Sequence, residues 1–457
     1  MYMRRVIHSI FLILLILIVY KTNVSAGVEQ ALPTVVSAPK TENDDPDNTK
    51  LTLESALHIA LANNPELAAS QWDVAAAKGR VGTAMATGRP TLAFEGGYQH
   101  HLDNQRLISA RYNGEPGDFG DDIFRGNVIF KLPIYTGGRF TSELESAELL
   151  KAAEEHRLVQ TREELIFNVS STFHILLGQR EVIRSLEFAV GAMESHLRQV
   201  QDLLAAQKAA RVDLLRTEVR LANLRYNLVT EQNALSTQRR LLANLLGVTF
   251  DPEPIPPGEQ PGEMVPGSSD PAELIVFALQ TRGDFLAART RLEAQSQRVE
   301  AAKSGSRPTV SLFGSYGLRA DDAGDQDDIG SAGLLMTLPV FDGGLVDAKV
   351  ETERAVLAAS QDRLKKLELQ IRREIEIALL DIRSSNERIN AARQSLEQAG
   401  ESLRIEQMKY SLSSGSILDV LDAQSALLQS ETNYTRVRVD SRIAMARLKL
   451  ATGEKEQ

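Results

Sequence analysis

Apolar residues recur at every seventh position along two long stretches of the chain. Val169, Leu176, Ile183, Val190, Leu197 and Leu204 form one row, and Ile375, Ile382, Ile389, Leu396, Leu403 and Tyr410 form the other. Beside the second row run Ala378, Ser385, Ala392 and Ala399, small residues that leave holes for large side chains, so the pattern predicts coiled-coil packing. A further heptad, Leu214, Leu221, Leu228, Leu235 and Leu242, follows a break near Lys208 to Arg211. At 1.5 Å per residue, a helix from about Phe140 to Gln207 is ~100 Å long and its return partner ~50 Å. Such lengths exceed an ordinary globular domain. A long helix from Leu53 to about Ala86, mirrored from Pro271 to about Ser304, completes each half.

Between Pro90 and Leu132, and between Pro308 and Leu338, the period changes from seven to two. Phe124, Gly126, Val128, Phe130 and Leu132 alternate with Arg125, Asn127 and Lys131. Leu92, Phe94 and Tyr98 alternate with Thr91, Glu95 and Gln99, and Val310, Leu312, Tyr316 and Leu318 with Thr309, Ser311 and Ser315. One face suits lipid and the other water. The fourth strand, Ile329 to Leu338, is less regular because Leu334 and Leu335 are adjacent. Polar, acidic loops, Leu102 to Asp121 and Arg319 to Asp328, close the two hairpins. From pattern alone, a soluble hairpin packed on the helices is the other reading. Four strands cannot close a barrel, and an open edge in hydrocarbon leaves backbone groups unpaired, so membrane strands must be pooled by several chains. Three chains supply twelve.

The chain is a tandem repeat. Leu132-Pro133-Ile134-Tyr135-Thr136-Gly137-Gly138 returns 206 residues later as Leu338-Pro339-Val340-Phe341-Asp342-Gly343-Gly344. The same offset carries Asp213 onto Asp419 and Gly247 onto Gly453. Upstream, Gly88-Arg89-Pro90-Thr91-Leu92 answers to Ser306-Arg307-Pro308-Thr309-Val310 at an offset of 218, and Asn64-Pro65-Glu66 to Arg282-Gly283-Asp284. The repeats are assigned to residues 51–247 and 271–457. They are joined by a linker, 248–270, that holds six of the sixteen prolines. Residues 1–26 read as a secretory signal peptide rather than a membrane anchor: Arg4 and Arg5 precede an apolar run, Ile10 to Tyr20, too short to span a bilayer, and Val24-Ser25-Ala26 offers a cleavage site. Residues 27–50 read as a flexible lead segment.

Composition narrows the function. The 457 residues include no cysteine, which removes disulfides, thiolate metal sites, thiol catalysis and an N-terminal lipid acceptor. A net charge of −10, which becomes −13 after cleavage at Ala26, supplies no basic excess for nucleic acid. No Ser/His/Asp, His-Glu-x-x-His or paired-carboxylate signature stands out, so neither an enzyme nor a cofactor is expected. Asp325 to Gly330 has a superficial likeness to a calcium loop, but Ile329 and Met336 fall where oxygen ligands are needed, so no metal site is assigned. His100 and His101 lack ligand spacing. The pairs Gly137-Gly138 and Gly343-Gly344 lack the Lys-Ser/Thr of a phosphate loop and read as strand-to-helix hinges.

With these features in place, the chain resembles the TolC-type outer-membrane efflux proteins, the outer membrane factors. The tandem halves, two hairpins, paired long and short helices, the x-R-P before each strand pair and the L-P-x-x-x-G-G after it all match. The densest match is Tyr410-Ser411-Leu412-Ser413-Ser414-Gly415-Ser416-Ile417-Leu418-Asp419-Val420-Leu421-Asp422-Ala423. The resemblance implies a mainly α chain with β: a long coiled-coil tunnel in the periplasm, plus four strands per chain in a trimeric, twelve-stranded outer-membrane barrel. It implies as partners two further copies, outer-membrane lipid, a periplasmic adaptor and an inner-membrane pump, with drugs, small toxic molecules or secreted proteins as cargo. It assigns Asp419 and Asp422 to the tunnel's narrowest point, as the gate. Spaced i and i+3, they share a helical face, and stacked acidic rings attract cations. It pairs Tyr410 with Asp213 as a closed-state tether. Gly415 stands where the family carries an arginine tether, so the likeness does not extend to an identically latched closed state. The competing local reading is that Ser416 and Asp419 form a capping box, which leaves Asp422 unexplained. A periplasmic coiled-coil protein of structural or adaptor type is the alternative function, though the lipoyl-like or small β-barrel segments of an adaptor are not evident.

Overall fold

The computed structural model describes residues 50–100, 122–208, 210–255, 270–321, 326–412 and 414–454. The signal peptide, the lead segment to Thr49, the first hairpin loop and most of the proline-rich linker lie outside the described residues. The elements run β1 (Lys50–Leu51), α1 (Leu53–Asn63), α2 (Pro65–Ala86), β2 (Thr91–His100), β3 (Asp122–Tyr135), α3 (Arg139–Ala205), α4 (Arg211–Leu246) and β4 (Glu253–Pro254). They continue with α5 (Pro271–Thr281), α6 (Gly283–Lys303), β5 (Thr309–Asp321), β6 (Gln326–Thr337), α7 (Leu345–Ser411) and α8 (Ile417–Thr452).

The helices recur with matched lengths: α3 and α7 have 67 residues each, and α4 and α8 have 36 each. Helices α1 and α5 have 11 apiece. The helix drawn from Leu53 to Ala86 is in fact broken at Asn64. The residue before Pro65 is driven to extended backbone (φ −65°, ψ 123°), and its side chain then accepts the amides of Glu66 and Leu67 as an N-cap. The mirrored helix breaks at Arg282 with the same backbone (φ −65°, ψ 124°) and no proline. Each break is tied to the far end of its return helix. Asn64 Nδ2 donates to the Leu245 carbonyl at 2.9 Å, and Arg282 Nη1 donates to the Ala451 carbonyl at 3.1 Å. Arg282 is only 6% exposed and also bonds Asp284 and Glu374, each at 2.7 Å. Burial opposes its charge, but Asp284 and then Glu374 outweigh that penalty and raise its pKa above the usual arginine value.

The four long strands form one antiparallel sheet in the order β2-β3-β5-β6. Register places Tyr98 opposite Phe124, Val128 opposite Tyr316, and Leu312 opposite Leu334. These pairs lie on one face with Phe94, Phe130 and Leu132, while Arg125, Asn127, Lys131 and Ser315 occupy the other. The adjacent leucines are thereby resolved: Leu334 belongs to the apolar face, and Leu335, opposite Ser311, to the other. Strands β3 and β5 extend further than their apolar alternation, to Asp122 and Asp321, and β6 begins at Gln326. Ladder pairing continues past the last apolar residue because the backbone bonds need no particular side chain. Among the described residues no helix is long and apolar enough to cross a membrane.

Two cores anchor the two halves. Leu165, Val169, Phe173 and Leu176 of α3 pack with α1 and the C-terminal end of α4, and Ile371, Ile375, Ala378 and Ile382 of α7 pack with α5 and the end of α8. Each fully buried large apolar side chain contributes about 1.5–3 kcal/mol. Helix α3 also packs against α6 and α8, so the first half lies directly against the second. Towards the far end of α3 the heptad row thins: Val190, Leu197 and Leu204 are only half-buried.

Candidate functional site

The two helical pairs reverse direction at residues 206–210 and 412–416. Helix α3 closes with Lys208 N donating to Leu203 O and Gln207 N to Leu204 O; Gln207 takes a left-handed φ of 57°. At the second turn, Leu412 N donates to Met408 O and Ser414 N to Lys409 O. Gly415 fits closely over the end of α7: a Cβ on it would lie 2.9 Å from Lys409 Cβ and 3.1 Å from Tyr410 N. A side chain at this position must therefore open the turn.

A small apolar knot holds the tip. Met193 of α3, Leu221 of α4 and Leu421 of α8 are buried together, with Val190, Leu197, Leu224 and Ile417 around them. Leu421, between the two acids in sequence, is buried and holds α8 down, and both Asp419 and Asp422 are exposed. The carboxylate of Asp422 is 80% exposed. Ser416 caps α8 by accepting the Leu418 amide at 3.1 Å, but the Ser416 amide donates no hydrogen bond to the Asp419 carboxylate. Only one arm of the capping box is made, and the Asp419 carboxylate stays available. Its field reaches Lys409, whose pKa is raised chiefly by its hydrogen bond to Glu406 and, to a smaller degree, by Asp419.

Asp213 occupies the matching position on α4. There the acid does cap: the Ala210 amide donates to its carboxylate at 3.4 Å, and Arg216 stands 4.0 Å away. The ring of Tyr410 meets His196 edge-on, with ring centroids 6.4 Å apart, and no hydrogen bond joins Tyr410 to Asp213. Burial holds the His196 pKa below the ordinary histidine value, and its Nε2 is buried without a hydrogen-bond partner. Two residues that sequence reasoning missed therefore belong to the tip. His196 had no motif around it. Arg220 approaches Asp422 only because α4 and α8 start side by side on α3. No His/Asp/Glu cluster able to hold a metal occurs among the described residues; the calcium-like stretch lies partly outside them.

The four hinge glycines have left-handed backbone: Gly137 (φ 68°), Gly138 (φ 93°), Gly343 (φ 69°) and Gly344 (φ 86°). Two such residues in succession turn each strand into its long helix, a conformation that side-chain-bearing residues rarely adopt. At the first hinge, Arg307 Nη1 donates to the Gly137 carbonyl at 2.9 Å.

A sheet with two open edges, set on paired helices of about 100 Å and about 50 Å that end in an acidic tip, defines a segment of a membrane-anchored duct. The outer membrane efflux protein family model matches residues 56–248 and 274–454, and the chain belongs to that family. It is 23% identical over 444 residues to outer membrane protein TolC of Vibrio cholerae, spanning 93% of this chain and 94% of that one. It is 24% identical over 396 residues to the cobalt-zinc-cadmium resistance protein CzcC of Cupriavidus metallidurans, spanning 85% and 86%. The fold matches the crystal structure of the outer membrane protein VceC of Vibrio cholerae with a TM-score of 0.76 at 21% identity, covering 88% of this chain and 96% of that one. The protein is thus an outer-membrane efflux channel extending into the periplasm, and the alternative of a channel-less periplasmic coiled-coil protein falls away.

Proposed function

We propose that three copies form the exit duct of a tripartite export system, receiving cargo from an inner-membrane pump through a periplasmic adaptor. The observation that carries this reading is the pair of surfaces a single chain leaves uncovered. Among the described residues, strands β2 and β6 are unpaired on their outer edges, which hydrocarbon does not tolerate. Along α4, Val212, Leu215, Val219, Tyr226 and Val229 form an exposed apolar row at heptad spacing. Neighbouring copies cover both.

At the tip, Asp419 and Asp422 are the gate and selectivity residues, giving six carboxylates in a trimer. Their support is shared exposure on one helical face with Asp419 released from capping. The tether assigned to Tyr410 and Asp213 is supported less directly, since Tyr410 engages His196 and Asp213 its own helix end. In this reading Tyr410 and His196 tie α7 to α3 within one copy. Gly137, Gly138, Gly343 and Gly344 are the hinges between barrel and tunnel. The acidic ring favours cationic or uncharged small molecules over anions, and CzcC is a metal-resistance protein by name.

Planar bilayers test the gate. Asp419→Ala with Asp422→Ala lowers cation selectivity and weakens blockage by multivalent cations. Unchanged currents on both counts would return the pair to a structural role. Recovery of the unmodified protein as a soluble periplasmic monomer, instead of a heat-modifiable outer-membrane trimer, would overturn the assembly.

A further inference from the structure

The repeat makes one joint twice and completes it once. Within the chain, the corner that ends α6 plugs into the hinge that follows β3. Arg307 Nη1 donates to Gly137 O, and a Cβ on Gly137 would stand 2.8 Å from Arg307 Cβ and 3.0 Å from Ser304 O. Beside this joint, β3 pairs with β5.

The other plug and the other socket are both present and, among the described residues, both empty. The corner that ends α2 has the same backbone: Arg89 N donates to Ala86 O at 3.1 Å, as Arg307 N does to Ser304 O at 3.0 Å. Its exposed guanidinium reaches only the sulfur of Met85, a weak acceptor. The hinge after β6 repeats the first, with Gly343 and Gly344 at φ 69° and 86° against 68° and 93°, yet nothing lies within 4 Å of where their Cβ atoms would be. Val340 and Phe341 beside it are 92% and 90% exposed, whereas their mates Ile134 and Tyr135 at the filled socket are 57% and 47% exposed. A chain cannot fold its own α2 corner onto its own β6 hinge, because β3 and β5 stand between them in the sheet.

We propose that the empty socket takes the empty plug of a second copy, with Arg89 of one protomer donating to the Gly343 carbonyl of its partner, and β2 pairing antiparallel with the partner's β6 so that Tyr98 faces Leu334. The register is the in-chain β3–β5 register carried through the repeat. Lys131 opposite Phe313 becomes Thr337 opposite Glu95, Phe130 opposite Gly314 becomes Met336 opposite Gly96, and Val128 opposite Tyr316 becomes Leu334 opposite Tyr98. One substitution adapts the joint to form between chains. Asp342, the residue before Gly343, stands where the first socket has Thr136, and its carboxylate accepts the amides of Gly344 and Val346 at 2.9 Å each. The incoming Arg89 therefore meets a socket carboxylate where the first socket has the neutral Thr136. This inference rests on assembly of copies through their sheet edges; what it adds is the residue-level joint.

The absence of cysteine allows a direct test. In the full-length protein in outer membranes, Leu334→Cys with Tyr98→Cys, and Met336→Cys with Gly96→Cys, give covalent trimers on non-reducing gels. The slipped pair Met336→Cys with Tyr98→Cys gives none. Cross-linking of the slipped pair in preference, or of no pair while the native trimer persists, overturns the register and leaves the channel reading standing. Absence of any oligomer from the unmodified protein overturns both. For the hook, Arg89→Ala and Asp342→Asn each lower the temperature at which the trimer dissociates in detergent, and the double variant loses less than the two single losses combined. Fully additive losses, or none, overturn it.

Discussion

Arg220 of α4 reaches Asp422 of α8 at 3.9 Å, and its Nη2 also donates to the Leu421 carbonyl at 3.4 Å. The two residues are 202 positions apart, and a cation thus stands beside one of the two carboxylates proposed to form the gate. Replacing it with Arg220→Ala should raise cation selectivity in planar bilayers, opposite in sign to removal of the acids. Asp422 is largely exposed and Arg220 half-buried, so the ion pair is well screened and folding stability should change by no more than about 1 kcal/mol. A fall in selectivity would show that Asp422 does not face the conducting path.

Gly415 makes a second prediction. Gly415→Arg should loosen the turn, because the new Cβ meets Lys409 Cβ at 2.9 Å and forces the turn apart. Gly415→Ala should produce the same loosening without the charge. Higher resting conductance in both variants, measured in bilayers, distinguishes this from a charge effect, in which alanine would behave as wild type.

His196 predicts a pH dependence. Burial holds its folded pKa below the ordinary value near 6.5, so the folded chain binds fewer protons than the unfolded chain once pH falls below that value. The stabilisation is complete above the ordinary histidine pKa and is lost as pH falls through the depressed one. The heat dissociation temperature of the trimer should therefore drop between pH 7 and pH 5, and His196→Phe should flatten part of that drop while preserving the ring contact to Tyr410. An unchanged profile in the variant would remove His196 as the cause.

At Arg282, truncation to alanine removes the cation shared by Asp284 and Glu374 and opens the tie to Ala451, a change expected to cost about 1–3 kcal/mol. Arg282→Lys keeps the charge but not the fork of donors, and should fall between the two. The yield of heat-modifiable trimer in outer-membrane fractions, ordered wild type, lysine, alanine, measures it. Equal yields would make the contacts dispensable.

The hydrophobic periods determined the long helices and the strands, because heptad and alternating patterns are set by burial along each element and need no partner to be read, and the recurring Leu-Pro-x-x-x-Gly-Gly motif determined the tandem halves. The helix breaks at Asn64 and Arg282 divide on this point. Asn64-Pro65 carried a local signal that was read through, whereas Arg282-Gly283 breaks for a reason 169 residues away, the carbonyl of Ala451. The acids at 419 and 422 were legible as a pair on one face through their spacing and their family match. That Asp213 caps its own helix, that Asp419 does not, that Tyr410 meets His196 and that Arg220 stands beside Asp422 were decided by the tertiary structure. Each depends on which helix ends are brought together on α3, and sequence spacing carries no information about the approach of two side chains from different helices.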